Sequence, residues 1–354
     1  MAAEPDPPAR PPGRRPDWFL AYPARGMPEV RIDPLSGLRT IVASDRAARP
    51  GGDLSATGPD PIDPDKDPFL EGHEDQTPPE TYALRANGSR PDTPGWKVRV
   101  VPNLYPALAP DSAQPEPFAK PDLFTAAPAR GNHEVVVNAP EPVHSLAELE
   151  PEQVGAAVDV WRARMRAHTE AGAAYVHVIV NERREAGASL PHTHAQIYAL
   201  DFVPAAVARE RERFGAYAQR TMGANLLQDL VQEEVKLGER IVAIDDEAVL
   251  MAPYGARLPF QLMLAPRTPR ARFDDDGPNG AALLHDALRR LGRKLGNVPP
   301  LNLWVRTAPL GADYYCWRVD IVPRLTHMAG LELGTGVYLN IVAPEQAAAE
   351  LRDL

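Results

Sequence analysis

Cysteine is almost missing from this chain of 354 residues: Cys316 stands alone. A disulfide within the chain is therefore excluded, and so is a zinc site built from four cysteines. Long apolar runs are missing too. The opening MAAEPDPPARPPGRRPDWFL carries arginine and proline but no apolar core of signal-peptide length. No segment approaches the roughly 20 apolar residues of a membrane span. Nor is there a basic block. The 38 Lys+Arg stand against 48 Asp+Glu, a formal net charge of −10, so sequence-independent nucleic-acid binding lacks its electrostatic footprint. These absences predict a cytoplasmic protein with neither membrane nor nucleic acid as partner. They leave room for a small anion, which needs only a few arginines and backbone N–H groups.

What the chain does contain is 44% apolar residues, enough for a proper core, and 40 prolines, which imply many irregular connections. Its length predicts two domains or one large one. Residues 1–16 read as a disordered Pro/Arg-rich tail, with structure starting near Trp18. Residues 50–95, rich in Pro, Gly and Asp, read as a long loop.

Beyond the loop one pattern occurs twice. Strands are predicted at 98–101 and 134–137, a helix at 151–169, and strands at 175–180 and 194–200. Val154, Val158, Trp161 and Met165 give the helix one apolar face, and Pro151 suits its first turn. The second half repeats the order: strands at 248–251 and 260–264, a helix at 280–295, and strands at 301–306 and 316–322. Leu284, Leu288, Leu291 and Leu295 carry that helix's apolar face. The predicted class is α+β, two similar halves at 17–225 and 226–354, each an antiparallel sheet with a packed helix.

Only the first half carries the segment Gly187-Ala188-Ser189-Leu190-Pro191-His192-Thr193-His194-Ala195-Gln196. In a strand, alternate residues share a face, so His192, His194 and Gln196 would line one wall, fed by a Gly/Ser turn able to approach an anion. Neutral imidazole can attack phosphorus, which suggests phosphoryl or nucleotidyl transfer. In the second half the same place reads Cys316-Trp317-Arg318-Val319-Asp320, without paired imidazoles.

At this point the chain resembles the galactose-1-phosphate uridylyltransferase family of the histidine-triad superfamily, which has two such halves and a Gly-x-Ser-x-x-His-x-His-x-Gln motif. The likeness runs from about residue 30: Asp33 to Gly37, Ser44 to Pro50, Val101 to Leu108, Gly131 to Val137, and Pro323-Arg324 through Glu332. Trp96 to Leu108 and Glu332 to Gly336 look closer to the ADP-glucose phosphorylases. The resemblance implies histidine-triad-like halves, a homodimer, and ping-pong chemistry with His194 as nucleophile. Gln196 would donate to a phosphate oxygen. Arg46, Arg49, Asn103 and Asn181, with Gly187 and Ser189, would bind nucleotide and phosphates, and Glu332 would contact the acceptor. An NDP-sugar and a sugar 1-phosphate or phosphate are the implied partners.

Three departures qualify it. Many relatives hold a structural zinc with Cys-x-x-Cys and two histidines. The corresponding segment here is Asp67-Pro68-Phe69-Leu70, while His144 and His192 match the histidines. Leu70 cannot ligate, and ligand count weighs against zinc. No cofactor is required for the chemistry, and the two histidines are expected as structural support. A second metal site of some relatives falls on Arg318-Val319-Asp320, which lacks its histidines. Around Glu332 the flanking acceptor residues become Thr326, Leu331 and Tyr338, so galactose 1-phosphate is not assured as acceptor. The leading function is an NDP-sugar nucleotidylyltransferase. The alternatives are a phosphorylase or hydrolase of the same superfamily and a non-catalytic nucleotide binder. His177 reads as a satisfied core residue and Arg183 and Arg184 as a solvated charge run, while the sequence offers no argument for a partner of His133.

Overall fold

The computed structural model describes residues 28–48, 54–85, 88–116 and 123–354. The tail at 1–16, the start near Trp18 and Arg49 lie outside the described residues.

Two short strands come first, β1 (Glu29–Ile32) and β2 (Arg39–Val42). The first half then runs β3 (Tyr82–Arg85), β4 (Trp96–Pro102), β5 (Gly131–Val137), α1 (Pro151–Glu170), β6 (Tyr175–Glu182) and β7 (His194–Leu200). Helices α2 (Ala205–Thr221) and α3 (Leu226–Leu237) follow. The second half runs β8 (Ile241–Ile244), β9 (Ala248–Met251), β10 (Leu262–Pro266), α4 (Ala281–Leu295), β11 (Leu301–Arg306) and β12 (Arg318–Pro323). The chain closes with α5 (Gly330–Thr335), β13 (Val337–Asn340) and α6 (Pro344–Arg352).

The strands lie in the order β3-β4-β5-β7-β6-β11-β12-β10-β9-β8. Read from either edge inward, the two halves have the same order. The two sheets expected from the repeat join where β6 and β11 pair antiparallel, Asn181 opposite Asn302, into one ten-stranded sheet. A smaller sheet, β1-β2-β13, stands apart from it.

Alternation decides which face of the large sheet is covered. Val176, Val178 and Val180 of β6, Ala195 and Ile197 of β7, and Leu301, Leu303 and Val305 of β11 turn to one face and are buried. There they meet α1 through Val154, Val158, Trp161 and Met165, and α4 through Leu284, Leu288 and Leu291. Pro151 starts α1 as expected, where a missing N–H is harmless. The Trp161 indole N–H, buried with the core, donates to Asn138 Oδ1 at 3.1 Å.

On the opposite face the halves differ. Over the second half, Phe214 of α2 and Leu227 and Val231 of α3 cover Val249, Met251, Met263 and Ala265. Thus α2 packs on the second half although it follows the first in sequence. Over the first half only a small cluster, Phe69 and Trp96 with Val101, Val135 and Val137, covers this face. His194, Gln196 and Tyr198 point to it.

Candidate active site

β7 begins at His194, and pairing with β5 sets Val137 opposite His194, Val135 opposite Gln196 and His133 opposite Tyr198. His194 and Gln196 therefore share a face, as their spacing requires. They line a cleft of about 370 Å³ with Pro68, Phe69, Thr77, Asn103, Tyr105 and Ser189. Phe69 meets the His194 ring edge-on at 5.2 Å.

The tautomer of His194 follows from its partner. Nδ1 lies 2.8 Å from the carbonyl oxygen of His192, which can only accept, so Nδ1 carries the proton and Nε2 keeps its lone pair. Burial, and to a lesser degree the neighbouring His192, push the imidazole pKa below its ordinary value, against the opposing pull of that hydrogen bond and of Asp67. A neutral imidazole with one nitrogen tied and the other free is a nucleophile.

His192 points away from the cleft. Its Nδ1 lies 2.7 Å from Asp67 Oδ2 and its Nε2 2.9 Å from the Ala139 carbonyl, and both partners accept. With His192 and Asp67 both buried, this hydrogen bond links the loop at 67 to the start of β7. Asp67 also accepts the Phe69 N–H at 3.0 Å, which seats Phe69 over the cleft. His144 is elsewhere engaged: its Nε2 donates to the Asp60 carbonyl at 2.8 Å. The zinc implied by the family therefore does not fit these residues. Both nitrogens of His192 are taken, Asp67 is its partner, and Leu70 has no donor atom. Among the described residues no group of three His, Cys, Asp or Glu is arranged to hold a metal.

The remaining candidates separate into two sets. Asn103 and Ser189 stand at the cleft. Gly187 ends the turn before it with φ +94°, which favours glycine. Asn181 lies on the cleft face of β6, where its Oδ1 accepts from Asn302 Nδ2 at 2.8 Å. Arg46 is exposed in a short 3-10 turn and does not line the cleft. Glu332 also lies outside it. Its carboxylate accepts the Ala329 N–H at 2.9 Å at the start of α5.

Other sequence expectations change in the structure. Arg183 is buried, and its guanidinium donates to the Thr57 and Val298 carbonyls; only Arg184 is exposed. His177 lies against the Val305 backbone, and burial lowers its pKa to about 4. His133, for whose partner the sequence offers no argument, contacts Gln196, Asn103 and the Ala107 N–H. Alternation on β5 could have placed it on the cleft face, but its partner in β7 is 63 residues away. In the second half, Arg318 and Asp320 take the places of the site residues. Arg318 binds Glu210 at 3.0 Å and 3.1 Å and Asp320 at 3.2 Å. Burial alone would raise the Glu210 carboxyl, yet Arg318 and Arg306 hold it at about 2. An ion-pair cluster lining a smaller cavity of about 100 Å³ stands where the first half has its imidazole-lined cleft.

Comparison with known proteins places this geometry. The profile of the galactose-1-phosphate uridyl transferase amino-terminal domain matches residues 22–204, and a domain of unknown function matches 153–353. The ADP-glucose phosphorylase of Arabidopsis thaliana is 31% identical over 92% of this chain and 93% of its own length. The galactose-1-phosphate uridylyltransferase of Haemophilus influenzae is 31% identical over 73% of this chain and 77% of its own. A crystal structure of the Arabidopsis phosphorylase with bound ADP-glucose superposes with a TM-score of 0.77 at 27% identity, covering 93% of this chain and 99% of that one. The chain belongs to the galactose-1-phosphate uridyl transferase family, as a nucleotidylyltransferase with features of its ADP-glucose phosphorylase-like branch.

Proposed function

We propose that the protein transfers a nucleoside monophosphate from an NDP-glucose to inorganic phosphate or a sugar 1-phosphate through a covalent intermediate on His194. The observation that carries this reading is the His194 ring, with Nδ1 tied to the His192 carbonyl and Nε2 free at the cleft. The Nε2 lone pair attacks the α-phosphorus, and the bond from phosphorus to the bridging oxygen breaks. Sugar 1-phosphate leaves with that electron pair. A phosphate oxygen of the acceptor then attacks the same phosphorus and returns the lone pair to Nε2. Gln196 donates its amide N–H to a non-bridging oxygen as charge builds there. Asn103 and Ser189, which line the cleft, and the turn at Gly187 would bind the nucleotide and its phosphates. Arg46, Arg49 and Asn181 stay in the proposal as nucleotide- or phosphate-binding groups, and Glu332 as an acceptor contact.

The likeness to an ADP-glucose phosphorylase over nearly the whole chain favours phosphate as acceptor and adenine as base. A homodimer is part of the proposal, and Leu331 and Leu333, exposed on α5, are apolar side chains that such an interface would cover. A single buried thiol, with no disulfide to maintain, supports a cytoplasmic setting.

A ping-pong path makes a specific exchange possible. Labelled glucose 1-phosphate should enter ADP-glucose in the absence of phosphate, because the first half-reaction reverses on its own. His194→Ala should lose this exchange. Turnover of ADP-glucose with phosphate but without any such exchange would exclude the covalent path.

A further inference from the structure

Resting on that function for His194 and Gln196, we infer that His133, together with Tyr198, is the positioning group that turns the Gln196 amide so its NH2 faces the phosphoryl group. The Ala107 N–H points at His133 Nδ1 at 3.1 Å, and a backbone amide can only donate. Nδ1 is therefore the acceptor nitrogen, and the ring proton sits on Nε2. That N–H lies 3.0 Å from Gln196 Oε1 and donates to it; the Asn103 amide nitrogen, 3.1 Å from the same Nε2, then finds no acceptor there and yields to the backbone donor at Nδ1. The Tyr198 hydroxyl donates to the same oxygen at 2.9 Å.

The His133 N–H on Oε1 fixes which end of the amide is which, and the Tyr198 hydroxyl, free to donate or accept, adds a second hydrogen bond to that end. The two ends of a glutamine amide have nearly the same shape, so only the hydrogen-bond network distinguishes them. Turned the other way, Gln196 would set its NH2 against the His133 N–H, which cannot accept, and present a carbonyl to an anionic phosphate. The arrangement is rigid. His133 and Tyr198 are opposed in the β5–β7 register and stack with centroids 4.1 Å apart. His133 is buried, and burial lowers its pKa, so the ring stays neutral and keeps an acceptor at Nδ1. The same residue anchors the cleft rim, because the Asn103 N–H donates to the His133 carbonyl at 2.9 Å.

A positioning role through Gln196 predicts a particular non-additivity. His133→Ala and Tyr198→Phe should lower kcat, by about 10- to 100-fold and about 3- to 10-fold respectively. Both fall short of the roughly 10²- to 10³-fold loss when a transition-state donor is removed outright, as in Gln196→Ala. KM for ADP-glucose should move by less than about threefold, since the contact strengthens only in the transition state. The deciding measurement is the cycle: in a Gln196→Ala background, adding His133→Ala or Tyr198→Phe should change kcat by less than about twofold. Tyr198→Phe removes only an oxygen, so it reports even where His133→Ala folds poorly. The proposal is overturned if either substitution costs the same factor with and without Gln196, or if KM rises while kcat holds. Wild-type enzyme treated with [α-32P]ADP-glucose, and with UDP-glucose in parallel, is assayed for covalent label alongside. Label on wild type with an additive cycle rejects His133 alone. Absence of label from an enzyme that turns over rejects the His194 mechanism and this inference with it.

Discussion

At the scale of single residues, the site depends on what each polar atom is tied to. His192 and His194 stand two positions apart and look equivalent in sequence, yet one is locked between Asp67 and Ala139 while the other keeps Nε2 free. The shared face of His194 and Gln196 was legible because a strand's period is fixed by covalent geometry, but His192, before the start of β7, does not join that wall. The partners were not. Asp67 is 125 residues from His192, and only the fold brings its carboxylate to Nδ1. His133 was hidden for the same reason. If the Asp67–His192 pair holds the cleft loop in place of a metal, Asp67→Ala leaves a buried imidazole without its partner. The expected cost is about 3–5 kcal/mol of stability, read from denaturant unfolding. A loss below about 1 kcal/mol would show that the pair is dispensable.

At the scale of elements, the helices were the most legible part. The apolar spacing in α1 and α4 placed both within a residue of their observed ends, because a helix buries one stripe whatever it packs on. Strand ends were less legible: β12 starts at Arg318, two residues after the expected start, because Cys316 and Trp317 are buried without being in the ladder. One element carries its own titration. Glu182 closes β6, where its carboxylate accepts the Ser145 hydroxyl at 2.6 Å and the Leu146 N–H at 2.8 Å. Burial outweighs these bonds and lifts its pKa from 4.5 to about 7. The folded state then keeps a proton that the unfolded chain releases near pH 4.5. This contribution is fully present below that pH, declines as pH rises through 4.5–7, and levels off above. Its size is at most about 3 kcal/mol. Glu182→Gln mimics the protonated form, so the difference between variant and wild-type stability should grow in the variant's favour across that window. A difference independent of pH would show that Glu182 is ionised throughout.

At the scale of the whole molecule, the repeated half explains why there is one cleft of this kind. Both halves present a strand face opposite the α1–α4 layer. In the second, α2 and α3 roof that face and Arg318, Glu210 and Asp320 fill the place of the imidazoles. The repeat itself was legible from the order of elements. The edge-to-edge joining of β6 and β11 was not, because both strands are apolar on one face and either could have served as a free edge. One ten-stranded sheet thus carries a single open histidine wall, and the account stands or falls on what His194 does. The most direct measurement is to mix the protein with [α-32P]ADP-glucose, quench in base, digest and map the label. The prediction is base-stable, acid-labile label on the peptide containing His194, approaching one per chain and absent from His194→Ala. Label on another residue, or label that survives His194→Ala, would contradict it.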